Sequence, residues 1–549
     1  MSGVVAENWS LLVLGILVLT VLMASLVSFI PKSAAVRRRK LELAWWVPTS
    51  ELNRGSVTPH TPFPLRIYLR NKAPFSLGWA QIEAIKSPAV IMVEKPPLLR
   101  LEGLSETGAT CSLSVKATGH WFLHGAALTL TDTLGLFELN AFFSTSLELQ
   151  VFPKLGLSPL RLIRAARVGA PHQRTGAHRM RLRGFGGELR EIREHRPGDP
   201  FKQIAWAPTA RFRKLMVTEY ESEILMNHHL ILDISSTMRD REPGSSKLDY
   251  AVDFCASFSR EALDAGDRVG LITVDSRILG EVRISDGRPH LFRIVEHLME
   301  LHNVVDEDLT DLTDMELVEG VAIYLLYQEG VDVRPRRFPD RDSERWKHLM
   351  PGPSGQLYDL KALDAWAKGL LDRLAAEPSL TPKWLRRMGR SPAKSPRMAR
   401  LRQICRLKGI HIPYRTGLLP ENKARGVATA IRKVAAAHRS HHIILVTDLM
   451  GLHVRGSLRT ALQLARRRHH QVTVLCPFAP LFHKEESLEP DHDLIHRIFA
   501  ADEMRALTPV FQELAKLGVR VEMGAPEQVA RTLGLSRSSS VGGVKGRAA

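Results

Sequence analysis

The chain has 549 residues, 76 of them Lys or Arg and 58 Asp or Glu, for a formal net charge of +18. That length suggests about three domains, and a hydrophobic content of 44% excludes both a disordered chain and a polytopic membrane protein. The four cysteines, Cys111, Cys255, Cys405 and Cys476, make no CxxC pair, which excludes a disulfide scaffold or Cys-rich zinc module and fits a reducing compartment.

The positive charge is concentrated. Residues 383–439 hold sixteen Lys or Arg against one acid, Glu421, and residues 161–220 hold fourteen against five, so the rest of the chain is net acidic.

Residues 11–30 are an uncharged run of apolar and small residues, about 20 long, which matches a hydrocarbon core at the helical rise. Trp9 stands at one end as an interface anchor would. A cleaved signal peptide wants a basic leading region and a shorter apolar stretch. Here Glu7 precedes the run, and Lys32, Arg37, Arg38, Arg39 and Lys40 follow it. The pattern therefore favours a single retained span, with residues 1–40 as anchor and basic flank and everything after them in the cytoplasm.

Residues 41–155 read as β. Segments 65–69, 89–93, 111–115, 126–130 and 147–152 are short and alternating or β-branched, separated by Pro, Gly, Asn and Ser clusters. Their spacing predicts an all-β, sandwich-like domain. Residues 156–225 form a basic connector. From 226 the pattern changes to strands (230–232, 268–274, 443–447, 471–475, 519–522) alternating with helices (247–265, 289–301, 422–438, 458–468, 494–517, 526–533). This predicts an α/β, Rossmann-like domain whose parallel sheet is covered on both faces. It is written in two parts, 226–302 and 410–535, around a helical, basic insertion at 303–409. Residues 536–549 are Ser-, Gly- and Lys-rich and read as a disordered tail.

Asp233-Ile234-Ser235-Ser236-Thr237 follows a buried strand, the edge where open parallel sheets bind ligands. The D-x-S-x-T spacing sends Asp233, Ser235 and Thr237 to one point, and hard oxygens on a short loop suit Mg²⁺. Asp448 ends what would be the neighbouring strand and supplies a second carboxylate. Thr416, ahead of the intervening helix, is a looser third hydroxyl. A plain strand-to-helix turn capped by Asp and Ser accounts for the five residues alone; the second aspartate and the surrounding βα alternation favour the metal. The pattern resembles the metal-ion-dependent adhesion site of von Willebrand factor A domains, with Thr237 where a serine is usual. That resemblance implies a site that docks a partner's carboxylate. No nucleophile with an adjacent base accompanies it, so the site reads as non-catalytic.

The connector contains Arg193-Glu194-His195-Arg196-Pro197-Gly198-Asp199, then Ile204-Ala205-Trp206, Ala210-Arg211 and Leu215-Met216-Val217. Pro197-Gly198 specifies a turn, and Asp199 can pair with an arginine. Ile204 and Trp206, two apart, are expected on one face of a strand or extended segment. The dense Arg and Glu around one Trp suggest an ion-pair network that clamps the connector to a domain, and the plainer alternative is a solvated charged linker with a buried Trp anchor. Together with Asp132-Thr133-Leu134-Gly135-Leu136-Phe137, this motif is similar to the signature of the domain-of-unknown-function family fifty-eight. The signature residues are Arg193, Pro197, Gly198, Asp199, Trp206 and Arg211. The resemblance extends to the order of span, β region, signature and von Willebrand-like domain, and leaves out the insertion. It implies a non-enzymatic accessory protein of the bacterial inner membrane that works with a MoxR-type AAA+ ATPase to assemble or activate other protein complexes. No G-x-x-x-x-G-K-[ST] pattern is present, so ATP hydrolysis falls to the partner. A metal-dependent hydrolase and an outward-facing adhesion module are the rival readings.

The basic stretch 383–439 reads first as a solvated helical face, second as a surface for anionic lipid or an acidic protein, and third as a nucleic-acid site. Nucleic acid is not expected as a partner, because Trp384 and Tyr414 supply little stacking. Three pairs, His228-His229, His441-His442 and His469-His470, each precede a strand and are expected to gather at the sheet edge opposite Asp233. Alternation sends at most one of each pair to a given face, so coincidence outweighs a metal or pH-sensing cluster.

Overall fold

A computed structural model of the chain describes residues 2–48, 56–132, 134–155, 178–197, 199, 201–304, 306–335, 346–376, 395–417, 420–477 and 490–523. The N-terminal apolar run lies in helix α1 (Ser2–Arg37), whose residues 11–24 are all exposed. Among the described residues it is the one helix long and apolar enough to cross a membrane, with a mean hydropathy of 2.7 over the qualifying window. From Ser25 onward the helix changes character: Ser25, Phe29 and Ala35 are buried.

The β region contains β1 (Leu41–Trp46), β2 (Phe63–Asn71), β3 (Gly78–Lys86), β4 (Val90–Met92), β5 (Leu99–Leu101), β6 (Glu106–Val115), β7 (Gly119–Thr131), β8 (Glu138–Phe143) and β9 (Leu147–Val151). They form two antiparallel sheets, β1-β2-β6-β4 and β5-β3-β7-β8, with β9 also on β7. Strict alternation in β2 buries Phe63, Leu65, Ile67 and Leu69 in one core with Leu113, Val115, Leu128 and Leu130. All five strands expected from alternation are present. Strands β1, β3, β5 and β8 were not anticipated. The inward positions of β3 are largely Ala and Gly, and β8 is only partly buried, so the two-residue period is weak there.

The connector is itself folded: β10 (His178–Glu194) pairs antiparallel with β11 (Met216–Ile224), and a short helix, α2 (Trp206–Phe212), lies between them. Its first part, 156–177, lies outside the described residues. The chain continues through β12 (Asn227–Asp233), α3 (Lys247–Asp264), β13 (Arg268–Val274), β14 (Ile278–Ser285) and α4 (Arg288–Met299). The insertion holds α5 (Asp314–Tyr324), β15 (Leu349–Pro351), β16 (Leu357–Asp359), α6 (Leu360–Ala376) and α7 (Pro396–Lys408). Then come α8 (Pro420–Ala435), β17 (His442–Val446), α9 (Gly456–Arg467), β18 (Gln471–Cys476), α10 (Pro490–Lys516) and β19 (Arg520–Met523). The expected helix at 526–533 and the tail lie outside the described residues.

Six of these strands make one sheet in the order β14-β13-β12-β17-β18-β19, parallel throughout except for β14. Its strands read as continuous apolar runs because both faces are covered. Ile231, Ile272, Ile443 and Leu445 share one core with Val427 and Ile431 of α8 and Leu458 and Leu462 of α9. Residues of opposite parity on β12 face α3, as the edge contact of His228 with Phe258 shows, with ring centroids 5.1 Å apart. Helix α3 begins where expected because Ser246 and Asp249 cap it reciprocally.

The chain divides into two compact units, Met1–Phe152 with Glu300–Thr416 and Pro153–Met299 with Gly417–Ala549. The insertion, expected as part of the α/β domain, therefore belongs with the β sheets. Aromatic contacts account for this. His302 lies 5.7 Å from the Trp121 ring, Tyr327 meets Phe142 edge-on at 5.8 Å, and Gly409 at the end of α7 faces Phe122 with no room for a Cβ.

A lysine-centred carboxylate cluster

β12 and β17 pair in register from His228↔His442 to Leu232↔Val446. This brings Asp233 beside Thr447 and places Asp448 one residue further, at the carboxyl edge of the sheet. Asp233 Oδ1 accepts the Ser235 amide at 3.0 Å, and Oδ2 accepts the Thr447 hydroxyl at 2.7 Å. Thr237 Oγ1 donates to Asp448 Oδ1 at 3.1 Å and lies 3.2 Å from Ser235 Oγ. The four residues Asp233, Ser235, Thr237 and Asp448 thus converge as the sequence suggests, and Asp233 and Asp448 are completely buried.

The point on which they converge is occupied by a side chain. Lys423 Nζ sits 2.8 Å from Asp233 Oδ2, 2.6 Å from Asp448 Oδ1 and 2.9 Å from Thr237 Oγ1, and the residue is only 2% exposed. Burial opposes its charge, but Asp233 and Asp448 outweigh burial and raise its pKa above the ordinary lysine value. A second ammonium, Lys247 Nζ, lies 3.7 Å from Asp448 Oδ2 and bonds Glu503 at 2.7 Å. Two buried carboxylates therefore face two lysines. This donor set does not fit the divalent ion anticipated from sequence: an ammonium stands where the ion would bind and already pairs with both carboxylates. Among the described residues no group of three or more His, Cys, Asp or Glu side chains is placed to hold a metal. Thr416 lies in the other unit, where its amide and hydroxyl both bond Asp311, at 2.7 and 3.0 Å.

Sequence reasoning missed Lys423, although a signal exists. Lys423, Val427, Ala430 and Val434 follow one another at helical spacing, and all four are buried, so a lysine continues the apolar stripe of α8 and requires an anionic partner. The lysine also sits in the first turn of its helix, where the backbone dipole disfavours a cation. Gly426 lets α8 approach closely, since a Cβ there would lie 2.0 Å from the Asp275 carbonyl oxygen. Gly426→Ala is expected to destabilise by about 1–3 kcal/mol despite alanine's better helix propensity, measured as a lower unfolding midpoint of the full chain in detergent.

In the connector, Arg193 clamps Asp199 with both guanidinium nitrogens, at 2.7 and 2.8 Å, and the Arg196 amide adds a third bond at 2.8 Å. The Arg193 and Arg196 bonds hold the Asp199 carboxyl far below the usual range. Pro197 lies within this loop, whereas Gly198 is outside the described residues. Trp206 is not the buried anchor of the plainer reading. It opens α2 and is 70% exposed, midway along a segment that also exposes Phe201 (80%) and Phe212 (61%). Ile204 alone turns inward, bridging Val217. The helix displaces Trp206 from the face that an extended chain would share with Ile204. Arg211 lies in the last turn of α2.

The histidine pairs divide between the sheet faces as alternation requires. His228 and His442 meet on one face, ring centroids 5.4 Å apart. On the other, His441 lies 4.9 Å from His229 and 5.7 Å from His470. Burial and neighbouring imidazoles push His229 down to about 3 and His441 to about 4; burial and His228 push His442 well below its ordinary value.

Comparison with known proteins places residues 191–319 in a match to the family described as a protein of unknown function, DUF58. That stretch runs from the Arg193 clamp through β14 into α5. The uncharacterized protein YeaD of Bacillus subtilis is 25% identical over 186 residues, covering 34% of this chain and 43% of that protein, less than half its length. Among solved structures, a FixG-related protein of Vibrio parahaemolyticus and a cohesin module of Clostridium perfringens each align with 20% of this chain and 96% of their own, at 11% identity. Their TM-scores of 0.15 carry no argument about the fold.

Proposed function

We propose that this chain is a membrane-tethered, non-enzymatic accessory protein that docks a MoxR-type AAA+ ATPase, which assembles or activates client complexes. We read its six-stranded unit as von Willebrand factor A-like, with Lys423 as the resident cation in place of Mg²⁺. The observation that carries the docking reading is the exposure of Phe201, Trp206 and Phe212 beside the Arg193–Asp199 clamp, inside the segment that matches the family. Large aromatics are costly on an isolated surface and are enriched at binding hot spots. The buried, lysine-filled Asp233 cluster then supports the sheet edge instead of recruiting a partner's carboxylate.

The test is a capture from detergent-solubilised membranes with wild type, Asp233→Ala, and the triple variant Phe201→Ser, Trp206→Ser, Phe212→Ser. Each is run with Mg²⁺ and with chelator. Wild type is expected to retain the ATPase in both conditions and the triple variant to lose it. Each hot-spot aromatic is worth about 2 kcal/mol, roughly thirtyfold in affinity. Undiminished recovery by the triple variant would move the docking face elsewhere. Loss from wild type on chelation would restore a metal to the interaction.

A further inference from the structure

Helix α1 and the turn formed by Asp132 and residues 134–137 make contacts that fix their relative depth. Ser25 Oγ donates to Asp132 Oδ2, and the Phe29 ring stacks on Phe137 with centroids 6.1 Å apart. Residues 11–24, the part of the apolar run free of such contacts, are roughly 21 Å long at about 1.5 Å per residue. A hydrocarbon core is about 30 Å thick. The free part is therefore too short by about two turns, and the span has to include residues 25–30, the ones that carry the turn.

The turn is suited to that depth. Leu134 and Leu136 point outward, 57% and 49% exposed. Several of its backbone amides are paired within the turn. The Asp132 amide bonds the Phe137 carbonyl at 3.1 Å, Gly135 N–H bonds the Asp132 carbonyl at 3.2 Å, and the Asp132 carboxylate accepts the Leu136 and Phe137 amides at 2.7 and 3.3 Å. Such internal pairing is what an apolar phase demands of irregular backbone. One step further from the membrane centre, Trp79 is exposed opposite Thr131, and the Lys32 ammonium lies beside Gly78. An aromatic and a cation at that level match the headgroup layer.

We propose that the turn formed by Asp132 and residues 134–137 is immersed in the membrane, with Leu134 and Leu136 in the apolar layer and Trp79 and Lys32 among the headgroups of the leaflet on that side. The inference rests on α1 spanning a bilayer, and the experiment separates the two. Full-length protein in phosphatidylglycerol/phosphatidylcholine nanodiscs is spin-labelled at Leu134→Cys, Leu136→Cys, Leu17→Cys in mid-span, or exposed Glu83→Cys. The four native cysteines are buried and stay in place. Labels at 134 and 136 are expected to show oxygen-to-nickel-chelate accessibility ratios several-fold above that at 83 and approaching that at 17. Lipid-like accessibility at 17 with water-like values at 134 and 136 would overturn the immersed turn and leave the span intact. Water-like values at 17 as well would overturn the span and the proposal with it.

Discussion

Lys423→Ala is expected to destabilise the α/β unit by about 3–5 kcal/mol, the usual cost of removing one partner from a buried ion cluster, and to make it responsive to Mg²⁺. In wild type the ammonium pairs with Asp233 Oδ2 and Asp448 Oδ1 together. Without it two buried carboxylates remain, Asp448 holding the Thr237 hydroxyl and Asp233 the Thr447 hydroxyl and the Ser235 amide, with the position of the lost ammonium open to another cation. Thermal unfolding of the full chain in detergent, with and without millimolar Mg²⁺, checks both parts. Wild type should be indifferent to the ion. The variant should recover about 2.7 kcal/mol where free Mg²⁺ reaches a hundred times its dissociation constant. Lys423→Met keeps most of the volume without the charge and separates packing from electrostatics: it should lose nearly as much as alanine. Variants as stable as wild type would mean that the lysine is not the cation that organises this edge.

Mild acid should loosen the same unit before most carboxylates titrate. His229, His441 and His442 are held neutral in the folded chain, the first two down to about 3 and 4, while an unfolded imidazole takes its proton near 6.5. Between about pH 6.5 and 4 the unfolded chain therefore binds more protons, and stability falls as pH falls, by up to about 1.4 kcal/mol per imidazole per unit. Asp253 works in the opposite sense. Burial pushes its carboxyl up to about 7, so the folded chain gains a proton first and is stabilised over part of the same range. His290 and His470 are lowered as well and Asp240 is raised, so the lowered imidazoles outnumber the raised carboxylates and a net loss of stability is expected between about pH 7.5 and 5.5. Unfolding midpoints at those two pH values check the sign, and His229→Leu with His441→Leu should flatten the dependence. A midpoint that rises on acidification would show the histidines to be accessible and charged.

The parts of this molecule legible in the sequence are those with a short period or a local marker. The αβ alternation after residue 226, the aspartates ending two neighbouring strands, and the division of the histidine pairs between faces all depend on spacing along one element. Lys423 escaped because its role depends on a helix and two strand ends meeting in space, and a lysine in a basic stretch looks like solvated charge. Trp206 escaped because Ile204-Ala205-Trp206 fits an extended pattern until the Ala207-Pro208 step is recognised as a first helical turn, where proline is tolerated. The partner of the insertion was hidden for a different reason. The rings that hold it, Trp121, Phe122 and Phe142, lie more than 150 residues away along the chain, and no periodicity encodes a contact at that range.

The interleaving of the two units also sets an order of assembly. Strand β12 acquires β13 soon after it is made, but its other neighbour, β17, emerges roughly two hundred residues later. At about 5–20 residues per second that is some 10–40 s. Throughout that interval a strand with Leu230, Ile231 and Leu232 at its centre presents an open edge. The β sheets likewise wait for residues 300–416 to cover Phe122 and Trp121. The β-sheet unit has its whole sequence once Thr416 is made, whereas the α/β unit waits for the residues from Gly417 onward, so it is the half-built α/β sheet that needs shielding during synthesis.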